Sequence, residues 1–150
     1  MKRTCALLVG ILLTAAIAST LADAHPSAHS SLFHTVELRK TKLGKILVNS
    51  SGSILYEFSS DHPKKDTCVK ISGCSAVWLA LPVQGKPSAG AGVRASLLSS
   101  ITLPEGVSQV TYAGHPLYIY EPAPTLISYV GAKQFGGKWY AVNANGQPVK

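Results

Sequence analysis

The sequence predicts an all-β fold, a small sandwich or partly closed barrel built from tandem β-hairpin repeats. Three observations predict it. Val48-Asn49-Ser50-Ser51-Gly52-Ser53-Ile54-Leu55-Tyr56-Glu57-Phe58 aligns without gaps on Val110-Thr111-Tyr112-Ala113-Gly114-His115-Pro116-Leu117-Tyr118-Ile119-Tyr120, and both read strand, glycine turn, strand. A weaker copy, Val142-Asn143-Ala144-Asn145-Gly146-Gln147-Pro148-Val149, ends the chain. On the return strands, period two places Ile54, Tyr56 and Phe58 on one face, and Pro116, Tyr118 and Tyr120 on the equivalent one.

The first residues read as a processing signal. Lys2 and Arg3 precede an apolar run, residues 7–17, shorter than the ~20 residues that span a bilayer. Ala22-Asp23-Ala24 then offers a small-x-small cleavage site, so residues 1–24 are expected to be a signal peptide. Cys5 lies before the apolar run, where a lipid-attachment cysteine would have to follow it. No second apolar run has membrane length, so a soluble, secreted or periplasmic protein is expected. Residues 25–35 are small and polar and read as a mobile arm; residues 36–150 are read as one β domain.

Along that domain, residues 36–39 and 45–48 read as the first strands. A turn at Ser51-Gly52 and a return over residues 53–58 follow. Residues 61–75 read as a loop, 76–82 as a strand ending at Pro82, and 84–92 as a flexible surface loop rich in Gly, Pro, Ser and Ala. Val93, Leu97, Leu98 and Ile101 stand at helical spacing, which predicts one or two helical turns. Residues 123–137 read as a second long loop and 139–143 as the last strand. Asn145-Gly146 is the strongest hairpin signal, because both residues tolerate positive φ. Long loops in a small domain are where binding is expected.

Cys68 and Cys74 are an even pair in a chain read as exported, which points to a disulfide. Closing so short a loop contributes about 2–2.5 kcal/mol. The spacing is not the C-x-x-C of a redox pair, and a structural zinc needs two further ligands nearby.

Formal net charge is +7, from 14 Lys and Arg against 7 Asp and Glu. It falls to +6 once Lys2, Arg3 and Asp23 leave with the leader. The basic residues are scattered, with small pairs at Arg39-Lys40 and Lys64-Lys65, which suits weak attraction to anionic envelope components. No basic stripe interleaved with aromatics speaks for nucleic acid. G-x-S-x-G, H-E-x-x-H and phosphate-loop patterns are all missing, so neither a catalytic residue nor a cofactor is expected.

Four motifs occur in a characteristic order: Leu55-Tyr56-x-Phe58-x-x-Asp61; Cys68 to Gly73-Cys74-Ser75-Ala76-x-Trp78; Gln109-Val110-Thr111-Tyr112-x-Gly114-His115-Pro116-Leu117-Tyr118-x-Tyr120; and Gly137-Lys138-Trp139-Tyr140-x-Val142 to Asn145-Gly146. In this the chain resembles the bacterial secreted-repeat family described as lipoproteins with a Yx(F/W/Y)xxD motif, over residues 44–146. The resemblance implies an extracytoplasmic tandem-repeat domain without an assigned biochemical function. The chain departs from that pattern in three places. It lacks a lipid-attachment cysteine, has Trp78-Leu79-Ala80-Leu81-Pro82 where the family shows Trp-Pro-Pro, and has Ala123 where the first copy has Asp61.

Tyr56, Phe58, Asp61, Tyr118 and Tyr120 are thus the candidate ligand face. The structural reading of the same residues is core tyrosines, each with one partnered hydroxyl, and an Asp61 that closes an Asx-type turn. A second functional reading is copper binding. Cleavage after Ala24 would free the His25 amine, and His29 stands four residues on; amine and imidazole nitrogens suit Cu(II). His34 follows, whereas His62 and His115 read as turn residues. A hydrolase assembled only by folding is the third reading. The leading one is a non-enzymatic exported module that binds an envelope or extracellular ligand or partner.

Overall fold

A computed structural model describes residues 36–122 and 128–150. The expected signal peptide, the N-terminal arm with His25, His29 and His34, and Ala123 lie outside these residues.

The chain is all-β, with curled antiparallel sheets. Strands β1 (Val36–Thr41) and β2 (Gly44–Asn49) form a hairpin with full register, Val36 opposite Asn49 and Thr41 opposite Gly44. After the next turn comes β3 (Tyr56–Phe58). The Cys68–Cys74 disulfide follows, flanked by a 3-10 turn at Cys68–Lys70 and the short helix α1 (Cys74–Val77), with a Cα–Cα distance of 5.4 Å. Next come β4 (Trp78–Ala80), β5 (Pro82–Val83), a 3-10 turn at Ala95–Leu97, β6 (Leu98–Thr102) and β7 (Ser108–Tyr112). The last strands are β8 (His115–Pro116), β9 (Tyr118–Tyr120), β10 (Lys133–Gln134), β11 (Gly137–Val142) and β12 (Pro148–Val149). One sheet runs β10-β11-β3-β9-β4 with β12 on β11; another runs β5-β7-β6 with β8 on β7.

Two corners join these sheets. The chain leaves β4 for β5 at Leu81 and β8 for β9 at Leu117, and the Leu81 N–H donates to the Leu117 carbonyl at 2.9 Å. Because the sheet curls, both of its faces are covered. Ile46, Ile54, Tyr56, Phe58, Trp78, Tyr118, Trp139 and Ala141 enter an aromatic core. Their neighbours Leu47, Leu55, Leu81, Leu117 and Val142 enter an aliphatic one with Val36, Val83, Val110 and Tyr112. Period-two alternation therefore sorts residues between two interiors rather than between interior and solvent.

Several local expectations need correcting. Residues 93–101 hold one 3-10 turn, Ala95–Leu97, and then strand β6, so the helical expectation holds for a single turn and fails beyond Leu97. Leu98 packs on the aliphatic core from a strand, Leu97 from the 3-10 turn and Val93 from the segment before it, so these residues share no helix face. Residues 76–82 do not form one strand: Ala76 and Val77 belong to α1, and pairing continues through Pro82 to Val83. The loop over residues 84–92 is fastened along β1, where the Val36 N–H donates to the Ser88 carbonyl at 3.2 Å and Gly90 N–H to the Val36 carbonyl at 2.7 Å. Within residues 123–137, Lys133–Gln134 pairs with β11. The Asn145-Gly146 turn has positive φ only at Gly146 and closes a three-residue loop through the Asn143 N–H to Gln147 carbonyl bond. The tight two-residue turns with positive φ at both positions are instead Ala113-Gly114 and Phe135-Gly136.

Candidate functional site

Of the motif rings Tyr56, Phe58, Trp78, Tyr118, Tyr120 and Trp139, five form one contiguous buried array. Trp78 and Trp139 stack with centroids 3.9 Å apart and planes 1° from parallel. Phe58 stacks on Trp139 at 4.3 Å, while Tyr56 meets Trp78 and Tyr118 meets Trp139 edge-on, each at 5.1 Å. Tyr56 and Phe58 are 2% exposed and Tyr118 is fully buried. These three candidate ligand residues therefore face inward, because the curled sheet brings their strands over one core. The sixth, Tyr120, is half-buried, tilted against Trp78 and in contact with Tyr129 at 3.8 Å.

The hydroxyls of the two buried candidate tyrosines, Tyr56 and Tyr118, are both partnered. Tyr56 accepts from the Tyr129 N–H at 3.1 Å, and Tyr118 donates to Asp61 Oδ2 at 2.7 Å. Asp61 Oδ1 accepts the Thr67 N–H at 2.7 Å. Asp61 is thus a clamp and not a local Asx turn: it closes a loop six residues long and ties it to β9. Burial pushes its carboxyl up to about 6, opposed by the bonds from Thr67 and Tyr118. Burial, then the Asp61 charge, pushes the Tyr118 hydroxyl pKa upward as well.

Glu57 was not singled out by sequence, since it stands between Tyr56 and Phe58 where a strand would point a charge to solvent. Here the second interior receives it, at 6% exposure. Among the described residues its Oε2 has no hydrogen-bond partner, and it lies 3.8 Å from His115 Nδ1. Burial first, and the Asp61 charge second, push this carboxyl up to about 7. His115 is 40% exposed. His62 bridges to Lys65 in an exposed turn that docks on the β7–β8 hairpin through the Lys64 N–H to Gly114 carbonyl bond, 2.7 Å. Among the described residues no three His, Cys, Asp or Glu side chains are grouped to hold a metal ion.

The surface that offers room for a ligand lies at the tip of the β1–β2 hairpin. The inner half of β2 is core, with Ile46, Leu47 and Val48 fully buried. The outer half and the turn carry Arg39, Lys40, Lys42 and Lys45, all exposed. Lys40 stands directly opposite Lys45. Like charges so placed destabilise a hairpin, and among the described residues neither has an ion pair. A groove of about 560 Å³ opens beside them, lined by Arg39, Lys40, Thr41, Lys42, Leu43, Ile54 and Ser128. Its lining is mostly apolar, from Leu43, Ile54 and the lysine stems, and cationic heads stand at its rim.

The first hairpin builds this groove. The Thr41 hydroxyl accepts the Leu43 N–H and donates to the Gly44 carbonyl, each at 3.0 Å, fixing the tip. Gly52 has φ of +85°, and its missing side chain is where the Arg39 guanidinium lies. Sequence alone marked Arg39-Lys40 as a basic pair and Gly52 as a turn residue. It did not show that they meet, or that Lys42, Leu43 and Ile54 join them.

No protein-family model matches the chain, and neither a curated protein nor a solved structure matches it.

Proposed function

We propose that this protein is an exported, non-enzymatic binding module whose ligand is a small anionic amphiphile of the cell envelope. The apolar groove takes its hydrocarbon part, and Arg39, Lys40 and Lys42 take its acidic head. The observation that carries this reading is Lys40 at the mouth of an apolar groove, directly opposite Lys45, with no ion pair to either among the described residues. Such a pair costs the free protein stability, and an anionic head would recover it. The disulfide and the leader-like residues 1–24 support export. The likeness to secreted repeat domains, with the tandem hairpins, belongs to the same reading.

The test is calorimetric titration of the protein with dodecyl phosphate and, separately, with dodecanol. Binding of the phosphate, weakened at least tenfold by Arg39→Ala with Lys42→Ala and weakened by salt, is expected. Equal affinity for the neutral alcohol, or no loss in the double variant, would overturn the assignment.

A further inference from the structure

We infer that the tip of the β10–β11 hairpin is a second anion site, one that takes a phosphorylated sugar. It surrounds a hollow of about 490 Å³ that shares no lining residue with the groove at the β1–β2 tip. It requires nothing of that groove's ligand.

The hairpin places its charges. Phe135-Gly136 is a two-residue turn closed by the Gln134–Gly137 pair, and Lys133 lies directly opposite Lys138. The Lys138 N–H donates to Ser59 Oγ at 2.8 Å, and its carbonyl accepts the Ser59 N–H at 2.9 Å. The Lys138 backbone thus turns away from β10, which makes Lys133 and Lys138 a non-hydrogen-bonded pair, the kind that brings cross-strand side chains closest. Both are exposed, and among the described residues neither has an ion pair. The spacing Lys133-x4-Lys138 repeats Lys40-x4-Lys45 at the first tip, so two hairpins of one fold carry the same destabilising juxtaposition.

Around the lysines, acceptors are occupied and donors are left. Gln134 Oε1 accepts the Trp78 Nε1–H at 2.8 Å, which fixes the amide and leaves its NH2 group to donate. The Gly136 carbonyl accepts from the Ser60 hydroxyl at 3.2 Å. The N–H groups of Phe135 and Gly136 have no partner among the described residues. Ser59 Oγ, having accepted one bond, can still donate another. Among the described residues no carboxylate lines the hollow. Such a lining matches a ligand rich in acceptors and negatively charged. It offers little to a hydrocarbon chain, because Phe135, its one large apolar residue, packs on the aromatic core. The volume falls among small-molecule sites, ~300–1,000 Å³, which is enough for a sugar ring beside its phosphate.

The tip is set before anything binds. Phe135 holds a φ of +55°, rare for a residue with a side chain, and the packing of its ring offsets the strain. A methyl at Gly137 would come within 2.5 Å of Phe58 and Ser60, so the turn is seated closely on the segment after β3. Gln134 and the turn N–H groups are therefore held in place rather than gathered by the ligand.

The experiment titrates the protein with glucose 1-phosphate, glucose and inorganic phosphate, by calorimetry and by tryptophan fluorescence, since Gln134 bonds to Trp78. Glucose 1-phosphate is expected to bind one to one, to change the fluorescence and to weaken with salt. Lys133→Ala with Lys138→Ala should weaken it at least tenfold. Gln134→Glu keeps an acceptor for Trp78 but sets a negative charge in the hollow, and should do the same; circular dichroism checks that each variant folds. Arg39→Ala with Lys42→Ala should leave this binding intact, and the Lys133 and Lys138 variant should leave dodecyl phosphate binding intact, so each site holds or fails by itself. No binding of glucose 1-phosphate, binding unaltered by Lys133→Ala with Lys138→Ala, or binding lost instead in Arg39→Ala with Lys42→Ala would overturn the inference. Glucose or inorganic phosphate binding as tightly as the ester would overturn the assignment to a phosphorylated sugar.

Discussion

Replacing Glu57 by glutamine should stabilise this protein at pH 8 and leave it nearly unchanged at pH 5. The carboxyl is buried on β3 with Oε2 unpartnered, and its pKa is raised from 4.5 to about 7. A group that holds its proton more tightly folded than unfolded contributes stability below the unfolded pKa and loses it as pH rises through the folded one. The window is therefore about 4.5 to about 7. At ~1.36 kcal/mol per pH unit, that shift is worth on the order of 3 kcal/mol. Asp61, raised from 3.8 to about 6, acts in the same direction. Urea unfolding of wild type and Glu57→Gln at both pH values measures it. Wild type should lose stability between them, and the variant should lose less by about that amount. Glutamine matches the neutral acid in shape, so the cost of burying an uncharged amide shifts both pH values equally and leaves the slope clean. Equal slopes, or a wild type that gains stability with pH across this window, would refute the argument.

Other outcomes follow from the same contacts. Tyr118→Phe removes the donor to Asp61 Oδ2 and should cost about 1.5–3 kcal/mol, more at pH 8 than at pH 5 because the aspartate is then ionised, by the same unfolding measurement. Reduction and alkylation of Cys68–Cys74 should lower the unfolding free energy by about 2 kcal/mol, with the folded state retained by circular dichroism. Gly146→Ala should destabilise more than Gly114→Ala. Both glycines have positive φ, costing about 1–2 kcal/mol for alanine, but only at Gly146 would the new methyl collide with Ala113; paired thermal melts decide it.

The strand–glycine turn–strand segments and the tyrosine periodicity were legible in the sequence because period two sets residues on alternate faces whatever covers those faces. What was missed depends on what covers each face. Glu57 looked solvent-facing, since nothing in Tyr56-Glu57-Phe58 announces that β3 is covered on both faces. β6 was obscured because its exposed Ser99 and Ser100 carry no apolar alternation, leaving Leu97 and Leu98 to mimic a helix. The hold of residues 88–91 on β1 is made by backbone groups alone, and those leave no trace in side-chain pattern. Asp61 and Tyr118 stood out as motif residues, but that they bond to each other, 57 positions apart, is a product of the β3–β9 pairing. The groove was half legible: its cations were visible, and its apolar floor from Leu43 and Ile54 depended on folding.

Strand β11 sits between β10 and β3 in its sheet, yet only β12 follows it in the chain. Trp139, at its centre, supplies the ring on which Phe58, Tyr118 and Trp78 converge. The sheet can therefore close only after residue 142 has left the ribosome. Contacts so distant in sequence also form slowly, since long loops must be closed first. Until β11 emerges, Phe58, Trp78 and Tyr118 lack the ring they pack against, so the aromatic core is the last part of the fold to be completed.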